Sequence, residues 1–229
     1  NSYFFSISFR AEYGNMYIAY VEIKDELRGS VSKNYLTVDK TTRDNGQNFR
    51  VVSPTTGYPA FAHNFSSDET FKINIIRDGT DSLYVDYFDL DRTLPRPVFS
   101  NMPSIPMKTY PDTTWVVEYS NDAVYNLPET GIYFFKFDPA STQGLALFNF
   151  GSEFPRIKSS DALLGPLVYL TSSSEFRDLR MAPNRKLAVD NYWLATSSNA
   201  DAARELIRVY YNRVLFANLY LSSYKEGWK

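Results

Sequence analysis

Apolar and polar side chains alternate along residues 3–10: Phe5, Ile7 and Phe9 fall on one face, Ser6, Ser8 and Arg10 on the other. A period of two is the signature of a half-buried strand. A turn around Tyr13, Gly14 and Asn15 leads into a second run, Met16 to Ile23, so the two predict a β-hairpin. Further strand-like runs are Tyr35 to Val38, Phe71 to Ile75, Leu83 to Leu90, Trp115 to Tyr119, Ile132 to Phe137 and Leu145 to Phe150. Asp78 and Gly79 mark a turn between two of them. Short strands at this spacing, divided by Gly, Pro, Asn and Asp, predict an antiparallel, Ig-like β-sandwich. Residues 92–113 carry Pro95, Pro97, Pro103, Pro106 and Pro111, which excludes regular helix and central strand. This stretch either separates two small β units, 1–92 and 93–158, or is a long connection within one β region spanning 1–158.

From residue 159 the period changes. Ser172 and Glu175 have capping-box spacing, predicting a helix over 173–181. Pro183 suits the first turn of a second helix, running to about Thr196. A third is predicted from Asn199 to Leu221, where Ala203, Leu206, Tyr210, Val214, Ala217 and Leu221 keep helical spacing. Tyr211, Leu215 and Leu219 widen that stripe, so this helix is expected to be covered on two sides. The fold class is therefore mainly β, with about three α-helices in a C-terminal segment, 159–229.

Composition narrows the function classes. The net charge is −2, so there is no basic excess for phosphate neutralisation and no nucleic-acid partner is expected. No apolar run approaches the ~20 residues of a membrane helix. The chain holds no Cys and one His, His63, which excludes thiolate chemistry and multi-His zinc sites. His63 lies in a loop-like phrase, and no motif supplies it with a catalytic partner. Asp86, Asp89 and Asp91 are close in sequence, but Asp86 and Asp89 fall on opposite faces of one strand and match no calcium loop. No catalytic residue, metal or cofactor is assigned.

Four C-terminal phrases carry a resemblance. They are Tyr169-Leu170-Thr171 leading to Glu175, Phe176 and Leu179; RKLAVDNYWL with Lys186, Ala188, Asp190 and Trp193; Tyr210-Tyr211-Asn212-Arg213-Val214 followed by Ala217-Asn218; and the closing Gly227-Trp228-Lys229. In this order, across 163–229, they resemble the GWxTD-domain family. The last phrase opens the motif that names the family, and the sequence stops inside it. The resemblance implies an exported protein of Bacteroidetes-type bacteria, often a lipoprotein, in the periplasm or at the outer membrane. It implies no established activity. The absence of Met at Asn1 fits a processed or partial chain whose targeting signal and lipid anchor lie upstream.

Asp190, Trp193, Tyr210, Tyr211, Arg213, Asn218 and Trp228 form the candidate structural or interaction cluster. An Arg213–Asp190 ion pair between helices is expected within it. Asn64-Phe65-Ser66 is a formal N-glycosylation acceptor. Asp81-Ser82-Leu83 and Asp112-Thr113-Thr114 resemble the O-glycosylation sites of exported Bacteroidetes-type proteins, implying glycan on Ser82 and Thr113. The functional expectation is a non-catalytic envelope subunit that holds an outer-membrane protein partner. The alternatives are a glycan or peptidoglycan binder, resting on the aromatic content of 17%, and a carboxylate-dependent hydrolase.

Overall fold

The structure is a computed structural model describing residues 7–41, 46–60, 62–76, 79–91, 93–94 and 108–229. Nine strands are followed by four α-helices among these residues. β1 (Met16–Lys24) and β2 (Val31–Asp39) form a two-stranded antiparallel hairpin. β3 (Phe49–Val52), β4 (Thr70–Ile75) and β7 (Tyr125–Asn126) form a three-stranded sheet in the order β3-β4-β7. β5 (Ser82–Asp89), β6 (Thr113–Glu118), β8 (Gly131–Lys136) and β9 (Leu145–Asn149) form a four-stranded sheet in the order β6-β5-β8-β9. Every pairing between these strands is antiparallel.

The second and third sheets face each other across one apolar core. Phe49, Val51, Phe71 and Ile73 contribute from one sheet; Leu83, Val85, Tyr133, Phe135, Leu145 and Leu147 contribute from the other. Alternation determines this: in β4, Phe71 and Ile73 are fully buried while Lys72 and Asn74 point away. Gly131 at the start of β8 sits against the Tyr87 ring, and a Cβ there would lie 2.8 Å from Phe88 O, so only glycine fits. Strands on both sides of the proline-rich stretch share these sheets, since β5 pairs with β6 and β8, and β4 with β7. Most of that stretch, 95–107, lies outside the described residues.

One expectation about the strands is corrected, and two strands are added. The hairpin of 3–10 with 16–23 does not form: residues 7–12 are not strand, and β1 pairs with β2 instead, Met16 opposite Asp39 through Lys24 opposite Val31. Residues 3–6 of that run lie outside the described residues. β3 and β7 were not foreseen; they hold only four and two residues.

The helices follow their caps. α1 (Ser160–Leu164) is a short addition to the expected set, capped by the Ser159 side chain. Its polypeptide continues as a 3₁₀ turn over Gly165–Tyr169. α2 (Ser173–Met181) starts on the complete capping box: Glu175 N donates to Ser172 Oγ, and Ser172 N donates to Glu175 Oε2. α3 (Arg185–Ala195) is capped by Asn184, so Pro183 precedes the cap instead of sitting in the first turn. α4 (Ala200–Leu221) starts on Asn199. Leu164, Leu167, Val189, Trp193 and Ala203 build a second, helical core. α4 is not covered on two sides. Leu206, Phe216, Leu219, Tyr220 and Leu221 are exposed, and only Ala203, Val214 and Asn218 are buried.

Candidate functional site

The predicted cluster divides into three parts. Trp193, Tyr210 and Tyr211 come together, the indole 5.6 Å from the Tyr210 ring and 6.2 Å from that of Tyr211. Each phenol ends on a backbone carbonyl: Tyr210 OH donates to Pro166 O and Tyr211 OH to Leu163 O. Tyr192 OH donates to Leu170 O in the same manner. The three phenols thus bind α3 and α4 to the α1 region with their polar tips satisfied, whereas the buried Trp193 Nε1 has no hydrogen-bond partner among the described residues. Burial raises the Tyr211 pKa strongly and pushes that of Tyr210 up to about 12. Such phenols stay protonated donors and are unsuited to general-base work near neutrality.

Gly227 and Trp228 form the second part, a clip at the C-terminal end of α4. Gly227 N donates to Ser222 Oγ. A Cβ on Gly227 would lie 1.8 Å from Ala217 O, so the backbone approaches α4 more closely than any side chain permits. Trp228 is thereby laid over Gly165, where a Cβ would meet its ring at 3.1 Å, and edge-on to Tyr169. Asn218 belongs here too. It is buried, and its Nδ2 donates to Pro155 O, tying α4 to the end of the β region.

Asp190 and Arg213, the third part, do not meet as expected. Asp190 pairs with Lys186 at 2.9 Å on its own helix, and Arg213 is exposed. The i,i+4 neighbour wins because helix geometry places it within reach without any tertiary contact.

Lys225 was missed in the sequence reading and joins the clip to the sandwich. Its Nζ lies 2.7 Å from Asp91 Oδ2 and donates to Thr93 O at 2.7 Å. Lys225 and Thr93 hold the Asp91 carboxyl down at about 2, against an ordinary 3.8. The sign follows from linkage. A carboxyl whose folded pKa is depressed adds stability above its unfolded value, and that contribution is lost as pH falls from 3.8 towards 2. Asp91 is about half exposed, so screening limits the contribution to under about 1 kcal/mol. Asp91→Asn is therefore expected to lower stability slightly at neutral pH and to flatten the acid limb of a urea-melt series between those pH values. An unchanged acid limb counts against the contact.

Asp86, Asp89 and Asp91 are held apart in separate arrangements. Asp86 is buried against Lys136 and Thr114, Asp89 N binds the Asp112 carboxylate, and Asp91 binds Lys225. Among the described residues, no three His, Cys, Asp or Glu side chains stand close enough to hold a metal ion. His63 is exposed, and its carbonyl accepts from Phe148 N. Ser82 opens β5 half-buried, opposite Glu118; Thr113 opens β6 exposed, opposite Tyr87.

The clip is built from the Gly-Trp pair that names a family, and the comparison with family models agrees. Residues 131–229 match the GWxTD domain. The match confirms the resemblance read from 163–229 and extends it back through β8 and β9, so the GWxTD segment includes two strands of the sandwich. No curated protein and no solved structure matches the chain. No helix among the described residues is long and apolar enough to cross a membrane.

Proposed function

We propose that this protein is a non-catalytic structural or interaction subunit of the bacterial cell envelope. In this reading it is exported, held in the periplasm or at the outer membrane by a lipid anchor, and holds an outer-membrane protein partner. The observation that carries the interaction role is the β1–β2 hairpin. Met16, Ile18, Tyr20 and Tyr35 are exposed on one of its faces, and Ile23 and Leu36 on the other. Large exposed apolar patches on soluble domains mark association surfaces. The envelope placement rests on the GWxTD resemblance alone. A glycan-binding role calls for a flat platform of exposed rings, and the exposed Tyr20–Tyr35 pair is tilted by 44°, which favours a protein partner. The test is a gentle detergent pull-down of the native protein with mass spectrometry. A stoichiometric outer-membrane protein is expected, and its loss when Ile18 and Tyr35, which share one face of the hairpin, are replaced by Ser would assign the surface. A native protein that comes down alone refutes the reading.

A further inference from the structure

The hairpin has two edges, and they differ. The bonds that bracket it, Lys40 N to Asn15 O and Asp25 N to Ser30 O, show that odd-numbered β1 residues bond to β2. The outward-facing backbone groups are therefore those of even-numbered residues in β1 and odd-numbered residues in β2. On β2 that edge is capped: Gln47 Nε2 donates to Thr37 O, and Asp39 N donates to Gln47 Oε1. On β1 the outward N–H and C=O groups of Met16, Ile18, Tyr20, Glu22 and Lys24 take part in no hydrogen bond among the described residues. An open edge of this length is a template for another strand, and an isolated two-stranded hairpin is marginal in water.

We propose that two copies of this chain pair antiparallel through β1, giving one four-stranded sheet in the order β2-β1-β1-β2. A twofold axis through Tyr20 is the only register that overlaps all nine residues of Met16–Lys24. It sets Tyr20 against Tyr20, Ile18 against Glu22 and Met16 against Lys24 of the second copy. On the other face Tyr17 meets Ile23 and Ala19 meets Val21, aromatic and β-branched partners suited to cross-strand contact. No like charges oppose one another. Sliding the axis to Glu22 would place that carboxylate against its own copy, and sliding it to Ile18 shortens the overlap. The pairing sets the Tyr20 and Tyr35 side chains of both copies in one row across the seam, flanked by the Ile18–Glu22 and Met16–Lys24 pairs. This goes beyond the envelope-partner reading, because it concerns the purified chain alone.

The experiment is light scattering after size exclusion on the full chain, loaded at about 100 μM, where a dimer of modest affinity is populated. The wild type is expected to run as a dimer. Tyr20→Lys sets like charges against each other at the axis, and Ile18→Pro removes only an outward N–H, leaving the bonds to β2 intact. Both are expected to weaken dimerisation at least about tenfold. Tyr35→Lys breaks the same Tyr20–Tyr35 contact from the capped strand and is expected to stay dimeric. Far-UV spectra of all three confirm folding. A monomeric wild type overturns the proposal. So does a dimer indifferent to Tyr20→Lys and Ile18→Pro, or one lost equally in Tyr35→Lys. A monomeric result leaves the detergent pull-down untouched, so the two readings fail separately.

Discussion

Asp86→Ala is expected to destabilise the protein by about 3–5 kcal/mol, read as a shifted urea midpoint with an unchanged slope. Asp86 lies in the central strand of the four-stranded sheet, on the face away from the sandwich core, yet its side chain is only 10% exposed and that of Lys136 only 7%. Lys136 Nζ stands 2.6 Å from Asp86 Oδ2 and also donates to Pro139 O at 2.7 Å. Thr114 Oγ1, on the strand directly opposite, donates to Asp86 Oδ1 at 2.7 Å. The three residues therefore link β6, β5 and β8 across one face. Removing the carboxylate leaves an ammonium buried with a single carbonyl for company, and that uncompensated charge dominates the loss. The pair itself contributes far less, because its desolvation offsets most of its attraction. Asp86→Leu combined with Lys136→Met is thus expected to recover most of the stability, with a large coupling energy in the double-mutant cycle. If Asp86→Ala falls within about 1 kcal/mol of wild type, water reaches Lys136 and the buried-pair account is wrong.

That trio shows where sequence reading stops. Asp86 and Lys136 are fifty positions apart, and nothing in either strand's own pattern announces the other. Alternation in β4 separates Phe71 and Ile73 from Lys72 and Asn74, because strand geometry fixes which side chains share a face locally. It could not say which strand pairs with which: the alternation of residues 3–10 was read as the partner of β1, and β2 took that place. β3 and β7 are too short to carry a period. The helices were far more legible, since a cap is a local device. Ser172 with Glu175 placed the start of α2, and Asn199 that of α4. The Asp190–Arg213 pairing failed for the complementary reason: a partner four residues away on the same helix needs no fold to bring it close. Within the candidate site, Trp193, Tyr210 and Tyr211 lie on the helix stripes visible in the sequence, and their rings meet. Lys225 was missed because its partner, Asp91, lies in a distant loop.

Gly227→Ala is expected to have the second large effect, about 2–3 kcal/mol, by combining a direct clash with the loss of Trp228 packing. The Gly227 backbone is not in the left-handed region, so conformational freedom is not what the position requires. What it requires is space: the added Cβ would stand 1.8 Å from Ala217 O and 2.4 Å from Ala217 C, both rigid helix backbone. The chain must retreat from α4, and retreat lifts Trp228 off Gly165 and Tyr169. It also strains the Lys225 contact two residues earlier, so the tie between the clip and the sandwich loosens with it. The expected readout is a red-shifted Trp emission and faster amide exchange over 222–229, with the core strands protected as before. Gly165→Ala supplies the graded comparison. Its Cβ would meet only the Trp228 ring, at 3.1 Å, which can give by a few tenths of an ångström, so a smaller loss is expected. If Gly227→Ala matched Gly165→Ala in stability and kept Trp228 packed on Gly165, the clip would not depend on close backbone approach. The Gly-Trp pair would then need an explanation outside packing, such as direct recognition by a partner. If the order holds, the first two residues of the family's motif are there to fasten this segment to α4.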